Sequence, residues 1–389
     1  MANKKHQKHA KLTRPNYGQF ARNEWAILGT PCGNIQKLAH QLTVALAPTY
    51  KVSYVDADHK STDSEISIGE KINAIAHGAA LEYTDKISHH RFETKAALNP
   101  FQYRSYFNEQ DIVLVNGNHF KAKKQIVVID PKKEKSLQKK LDRLTDVRLI
   151  LLAKTANGIP SYLKEHLTNL EDIPVYSLVD FNGILAIIQK DIKDNIPHLN
   201  GLVLAGGKSQ RMGTDKGLLE YHGKPQREYM ADILATFCQE TFLSFRQGQA
   251  TSEVSNYPVL TDTFQGLGPF GAIASAFLKD PNRAWLVVAC DLPLLDVETL
   301  QFLVNHRSPS HIATAFNSPV NQFPEPLIAI WEPKSYPVLL QFLAQGYSCP
   351  RKVLINSEVQ LLDAPEGKKL MNVNDPSELA EAKASLQTD

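Results

Sequence analysis

Three cations stand close together in LVLAGGKSQRMGTDKG (202–217), where Lys208, Arg211 and Lys216 follow an apolar run and two glycines, Gly206 and Gly207. Without a Cβ, such glycines let the backbone turn sharply and bring its N–H groups close to a ligand. Successive N–H groups in that kind of turn form an anion-binding concavity. With the cations added, the stretch reads as a cradle for a triphosphate. It matches neither G-x-G-x-x-G nor G-x-x-x-x-G-K-[ST], which disfavours a dinucleotide fingerprint and a P-loop in this half. A second chemically pointed residue, Asp291, ends the run AWLVVACD and precedes a proline-rich turn. An acid there can cap a helix, but Asp296 is better placed to cap VETLQFL. Asp291 is therefore expected to bind Mg²⁺, which is usually held by one or two carboxylates plus substrate phosphates.

These residues must be delivered by strands. Short apolar, β-rich runs alternate with helical patterns along the chain, which predicts an α/β protein with mainly parallel sheets. In the first half the strands are expected at 24–29, 51–56, 111–117, 125–130, 147–153 and 174–179, with helices near 35–47, 134–143, 160–168 and 183–192. The polar, proline-bearing KDNIPHLN reads as a linker and places a boundary near residue 196. Beyond it, strands are expected at 202–205, 241–245, 258–262, 284–291, 311–316 and 326–331. Helices fit 226–238, 271–279, 297–306 and 335–345, and Asp375 with Pro376 reads as the cap and first residue of a last helix. Parallel strands of doubly wound sheets meet ligands at their carboxyl ends, where both the glycine turn and Asp291 fall.

Composition sets the outer bounds. The chain has 389 residues, 43% hydrophobic and 22% charged, with a net charge of only +2. Such a balance gives no global field that would attract nucleic acid or an anionic membrane. Residues 1–22 form a basic tail with no acid before Glu24 and no apolar stretch of a secretory leader. No run approaches the ~18 apolar residues of a membrane span. The four cysteines (Cys32, Cys238, Cys290 and Cys349) are far apart, so a reducing cytoplasm is expected rather than a disulfide or zinc framework. No Ser/His/Asp or Cys/His arrangement stands out among the 13 histidines.

LAGGKSQRMGTDKGLLEYHGKP resembles the opening signature of the molybdenum cofactor guanylyltransferases, and the resemblance covers essentially all of residues 200–389. DTFQGLGPFGAI (262–273), which includes Gly268, is similar to the family's segment facing the base and the second substrate. VVACDLPLL is similar to its metal strand. NVNDPSEL, with Asn372 and Asn374, is similar to its closing motif. LAGG alone would fit many sugar nucleotidyltransferases; four motifs in order are more specific. The related cytidylyl-transferring pterin enzymes typically carry LAAG and a proline before the lysine, so Gly206–Gly207 and Asp215–Lys216 favour guanylyl transfer. The resemblance implies a Rossmann-like fold of the nucleotide-diphospho-sugar-transferase type over 196–389. It implies that Leu204, Ala205, Gly206 and Gly207 contact GTP, that Lys216 holds phosphates, that Asp262 lies on the base or ribose side and that Asp291 binds Mg²⁺. Arg211, Lys216 and Asp291 are the expected catalytic set. At the end of the next strand, where family members can carry Asn, this chain has Ser244.

In the first half, AILGTPCGNIQKLAHQL followed by DIVLVNG and QIVVIDP resembles the P-loop adaptor proteins of the same cofactor pathway. If Gly29 is the first glycine of that loop, the later motif positions hold Asn34, Ile35 and Gln36, without the lysine or the hydroxyl. The strand that should end in an acid ends in Asn116, and AKTANG (153–158) is no base-reading motif. Residues 23–195 are thus expected to form a degenerate adaptor domain that hydrolyses no nucleotide. DADH (56–59) and His89–His90 are read as surface residues rather than a metal site. Taken whole, the sequence predicts transfer of GMP from GTP to molybdopterin or its molybdenum form, with a molybdoenzyme apoprotein or insertion chaperone as a further partner. The alternatives are a cytidylyl or sugar-phosphate transferase on the same fold, or a non-catalytic cofactor adaptor.

Overall fold

The computed structural model describes residues 18–57, 74–206, 216–249 and 255–387. The chain divides into two compact units, Met1–Asn195 and Ile196–Asp389.

The first unit contains strands β1 (Glu24–Leu28), β2 (Val52–Val55), β3 (Leu81–Asp85), β4 (His90–Thr94), β5 (Ile112–Asn116), β6 (Lys124–Ile129), β7 (Val147–Leu152) and β8 (Val175–Ser177). Its helices are α1 (Cys32–Leu46), α2 (Pro100–Phe107), α3 (Glu134–Gln138), α4 (Ser161–His166) and α5 (Phe181–Asp194). Six strands form one sheet in the order β2-β5-β1-β6-β7-β8, parallel throughout. Both faces are covered, which is why β1, β5 and β6 are buried end to end. Trp25, Ile27, Leu114 and Val128 pack with Leu38 and Leu42 of α1 and Ile184 and Ile188 of α5. Leu28, Val127 and Ile129 point the other way, against Leu137 and Leu163.

The second unit contains β9 (Leu199–Leu204), β10 (Thr241–Phe245), β11 (Val259–Thr261), β12 (Ala284–Ala289), β13 (Ala313–Asn317), β14 (Pro324–Trp331) and β15 (Gln360–Leu362). Its helices are α6 (Gln226–Ala235), α7 (Pro269–Lys279), α8 (Val297–Asn305), α9 (Ser335–Ala344), α10 (Pro350–Ile355) and α11 (Pro376–Leu386). The sheet order is β11-β10-β9-β12-β14-β13-β15. It is parallel except that β14 runs antiparallel to β12 and β13. Period-2 alternation splits β12 between two cores. Leu286 and Val288 meet Met230, Leu234, Leu300 and Leu303, while Trp285 and Val287 meet Phe270, Ile273, Phe277 and Leu339.

Several elements differ from the sequence reading. The helix expected over 134–143 breaks into α3 and a 3-10 turn at Leu141–Arg143. The β3–β4 hairpin was not expected, because its faces are half exposed and carry no strong apolar alternation. Helix α2 was also not expected, although Asn99 and Gln102 form a reciprocal capping box with Pro100 at the first position. β15 and α10 are too short to leave a periodic signal. Among the described residues no helix is long and apolar enough to cross a membrane.

Candidate active site

The end of β9 is the hinge of the site. Its last residue, Leu204, is flanked in register by Ser244 of β10 on one side and Ala289 of β12 on the other. The chain after β9 therefore leaves the sheet between two groups of polar side chains. Gly207 and Arg211, like Lys208 and Asp215, lie outside the described residues.

On the β12 side, Lys216, Asp291 and Asn374 come together from three distant segments. The Lys216 ammonium lies 3.3 Å from Asp291 Oδ2 and donates to Asn374 Oδ1 at 2.8 Å. The side chains of Lys216 and Asp291 are only 19% and 22% exposed, so their charges act with little screening while staying reachable. Neighbouring contacts fasten the segments. His222 Nε2 donates to the Pro293 carbonyl at 2.9 Å, and its ring stacks on Tyr229 at 3.6 Å. The fully buried Gln226 donates to the Leu292 carbonyl at 3.3 Å. Val373 N donates to the Asp291 carbonyl at 2.8 Å. Asn374 is set by the first turn of α11, where Glu378 accepts from Asn374 N at 2.6 Å and Asp375 caps the helix. Asp296 caps α8 through Thr299 N, which leaves Asp291 free of a capping task. Tyr221 packs beside this group; burial, then the charge of Asp291, pushes its hydroxyl up to about 12.

On the β10 side, Asp262 is buried, and Ser244 Oγ donates to its Oδ1 at 2.7 Å. Burial raises the Asp262 pKa above the ordinary carboxyl range, while Ser244 and the Arg246 charge oppose that rise. Ala205 N donates to the Ser244 carbonyl at 3.1 Å. Gly206 is exposed, and a Cβ placed there would sit 3.2 Å from Arg246 N, tighter than most side chains tolerate. A glycine keeps the backbone open to close approach at this point. Ser275 on α7 accepts from Thr263 N and Phe264 N at 2.8 and 3.1 Å and holds the segment after Asp262. Gly268 is the exposed residue that caps the start of α7. Asn372 is exposed two residues before Asn374.

Sequence reasoning missed the fastening residues His222, Gln226 and Ser275, and it left Ser244 without a role. Ser244 was findable: its register partner on β11 is Leu260, two residues before Asp262. The others act through backbone carbonyls and amides across long separations, which no spacing rule records.

The model of the MobA-like NTP transferase domain matches residues 201–360. A molybdenum cofactor biosynthesis bifunctional protein of Synechocystis is 34% identical over 181 residues, covering 46% of this chain and 52% of that protein. A molybdenum cofactor guanylyltransferase of Pseudomonas putida is 31% identical over 194 residues, covering 48% of this chain and 98% of that protein. The chain belongs to the molybdenum cofactor guanylyltransferase family. Its second unit carries the membership. A solved structure of molybdopterin-guanine dinucleotide biosynthesis protein A from Archaeoglobus fulgidus is 22% identical, with a TM-score of 0.43, covering 49% of this chain and 100% of that one. Members of the family generally use a divalent metal. The residues present fit one: Asp291 offers a reachable carboxylate at the carboxyl edge, the share Mg²⁺ takes from protein when phosphates supply the rest. Among the described residues no group of three or more His, Cys, Asp or Glu is assembled as a preformed metal cage.

The first unit's loop is arranged differently. β1 ends at Leu28 and α1 opens at Cys32. Of the three positions where phosphate chemistry would need Gly, Lys and Ser or Thr, Asn34 donates to Thr30 at 3.0 Å and Ile35 is fully buried. Gln36 donates to Asp56 at 2.9 Å. Asp56 also accepts from Tyr54, Asn116 and Ala57 N, and Thr30 donates to Asp130 at 2.7 Å. Asp58 and His59 of the DADH stretch lie outside the described residues, and His89 and His90 are exposed.

Proposed function

We propose that this chain transfers GMP from GTP to molybdopterin or its molybdenum form, in the cytoplasm, with Mg²⁺ as the divalent metal. The observation that carries the reading is the convergence of Lys216, Asp291 and Asn374 at the carboxyl edge of a family sheet. The residue roles in this reading are as follows. Lys216 exchanges Asp291 and Asn374 for phosphate oxygens when the triphosphate arrives. Asn374 returns the lysine to place, and Gly206, with Leu204 and Ala205 behind it, lets the triphosphate approach the backbone. Asp262, oriented by Ser244, accepts from the base or ribose. Arg211 and Gly207 belong to the same cradle, and Gly268 and Asn372 border the second substrate. Asp291 would hold the metal, which supplies neutralisation of charge on the α-phosphate and the departing pyrophosphate.

The nucleophile is a terminal phosphate of the pterin, largely dianionic at neutral pH because its second pKa is about 6. Its oxygen forms a bond to the α-phosphorus as the α–β P–O bond breaks and pyrophosphate leaves. No strong base is required, so positioning and cationic side chains carry the rate. The first unit, in this reading, hydrolyses no nucleotide and serves to hold molybdopterin or a receiving apoenzyme or insertion chaperone. The test is pyrophosphate release by the purified chain with each nucleoside triphosphate, Mg²⁺, and molybdopterin or sugar phosphates. Release is expected with GTP and molybdopterin. Preference for CTP would assign the cytidylyl reading, and no release with any pair would assign the adaptor reading.

A further inference from the structure

Cys32 and His119 are 87 residues apart in sequence, and the fold of the first unit brings Cys32 Sγ within 3.3 Å of His119 Nε2. The spacing gave no hint of this pair. The thiol is half-buried rather than sealed in the core. It is the first residue of the 15-residue helix α1, whose N-cap, Pro31, supplies no side-chain cap. That end of a helix favours negative charge. Asn118 Nδ2 points at Cys32 Sγ from 3.7 Å and is itself fixed on the Thr30 carbonyl at 2.9 Å. Lys140, anchored on the Asn118 carbonyl at 3.0 Å, interacts electrostatically with the thiol. Tyr54, which also interacts with the thiol, is driven above the ordinary phenol range first by burial, so it stays protonated and adds no competing anion.

We propose that Cys32 and His119 form a reactive thiol–imidazole pair that exchanges with small disulfides carrying carboxylates. A nucleophile within hydrogen-bond reach of a base is the usual arrangement for activating a thiol. His119 Nε2 takes the Sγ proton. The thiolate attacks one sulfur of the disulfide, the S–S bond breaks, and the departing thiolate collects the proton from the imidazolium. The product is a mixed disulfide at Cys32, with no net oxidant beyond the disulfide itself. Lys140, with Arg143 close by on the Gly117 carbonyl, makes the surroundings cationic and so favours anionic disulfides.

The chain carries its own controls. Cys349 is exposed at the start of the short helix α10, Cys290 is buried, and burial pushes the Cys238 thiol up to about 12. The experiment treats the full-length protein at neutral pH with glutathione disulfide, or with dicationic cystamine, and measures modification of each cysteine by peptide mass spectrometry. With glutathione disulfide, Cys32 is expected to react on the order of tenfold faster than Cys349, a conservative gain for base assistance. The ratio should shrink with cystamine, and His119→Gln should bring it to about one, the low end of what a lost general base costs. Equal rates for Cys32 and Cys349 in the unaltered protein overturn the proposal without any variant. So does a ratio that survives His119→Gln in protein whose circular dichroism is unchanged. Should that variant fail to fold, Lys140→Met gives a second reading: it should reduce the preference for glutathione disulfide over cystamine, and an unchanged preference removes the assignment of anionic substrates.

Discussion

Each unit sends a strand to the carboxyl edge of a mainly parallel sheet, with a glycine soon after it and a helix further on. In the first unit the turn is short and closed. Gly29 sits at φ +94°, where a Cβ would lie 2.2 Å from the Val128 carbonyl, and α1 begins at once. The polar side chains around it are spent on one another: Thr30 on Asp130, Asn34 on Thr30, and Asn116 on Asp56. In the second unit β9 ends at Leu204 and α6 does not open until Gln226. There Lys216 is tied to Asp291 and Asn374 across three distant segments, and Lys216 and Asp291 keep part of their surface exposed. The comparison teaches that the strand–turn–helix outline alone assigns no binding role; the side chains brought to the edge have to be read.

The largest expected effect tests the open side. Asp291→Asn removes the carboxylate proposed to hold the divalent metal, while its backbone carbonyl still accepts from Val373 N. Turnover should fall by a factor on the order of 10³ or more, with the fold retained, as for loss of a principal electrostatic group. Turnover near the unaltered level at saturating Mg²⁺ would remove the metal role from Asp291. The closed side gives the next effect. Ile35 occupies the position where a phosphate-binding lysine would stand, and it is fully buried among Trp25, Leu38 and Leu42. Ile35→Lys should therefore cost about 3–5 kcal/mol of stability in urea unfolding, the cost of an uncompensated buried charge, and should confer no GTP hydrolysis. An unchanged midpoint together with phosphate release would mean that the first loop is a binding edge after all.

Lys216→Ala should lower kcat/KM for GTP by about 10²-fold, because a charge-assisted contact to phosphate is lost. Guanosine, which lacks phosphates, should bind the variant as well as it binds the unaltered protein in calorimetry. Equal losses for GTP and guanosine would place the lysine on the base and not on the phosphates.

The sheets were legible because doubly covered parallel strands must be continuous apolar runs, and EWAIL, IVLVN, TFLSF and AWLVVA are that. Lys216 and Asp291 were singled out because charge in a glycine-rich stretch after such a run, or at a strand's carboxyl end, suits an anionic or metallic ligand, and the structure brings the two side chains together. What was hidden is the fastening. Nothing in the sequence says that His222 and Gln226 hold the carbonyls of Pro293 and Leu292, since a carbonyl is common to every residue. The Cys32–His119 contact was hidden too, because it joins the start of α1 to the β5–β6 connection, 87 residues away. Helix α2, in contrast, was written in Asn99-Pro100-Phe101-Gln102 and was overlooked because its residues are too polar and exposed to show an apolar stripe.

The smallest effect separates function from stability within the open side itself. Asp262 is a buried carboxylate whose pKa is raised chiefly by burial, against the lowering influence of Ser244 and Arg246. A carboxyl that holds its proton more tightly when folded contributes stability that is fully present below its unfolded value. That contribution is lost as the pH rises through the folded value, so at neutral pH the ionised group is a net cost. Asn at this position still offers an oxygen to Ser244 Oγ and carries no charge. Asp262→Asn should therefore unfold at an equal or higher urea concentration at neutral pH. The difference should vanish below about pH 4, where the carboxyl is protonated in both states. On the proposed base- or ribose-side role, GTP affinity should fall in the same variant, since its anionic acceptor is gone. A variant that is less stable at neutral pH but binds GTP normally would show that Asp262 is a structural partner of Ser244 and Arg246, and that the polar groups on this flank of β9 are as fully spent as those around Thr30.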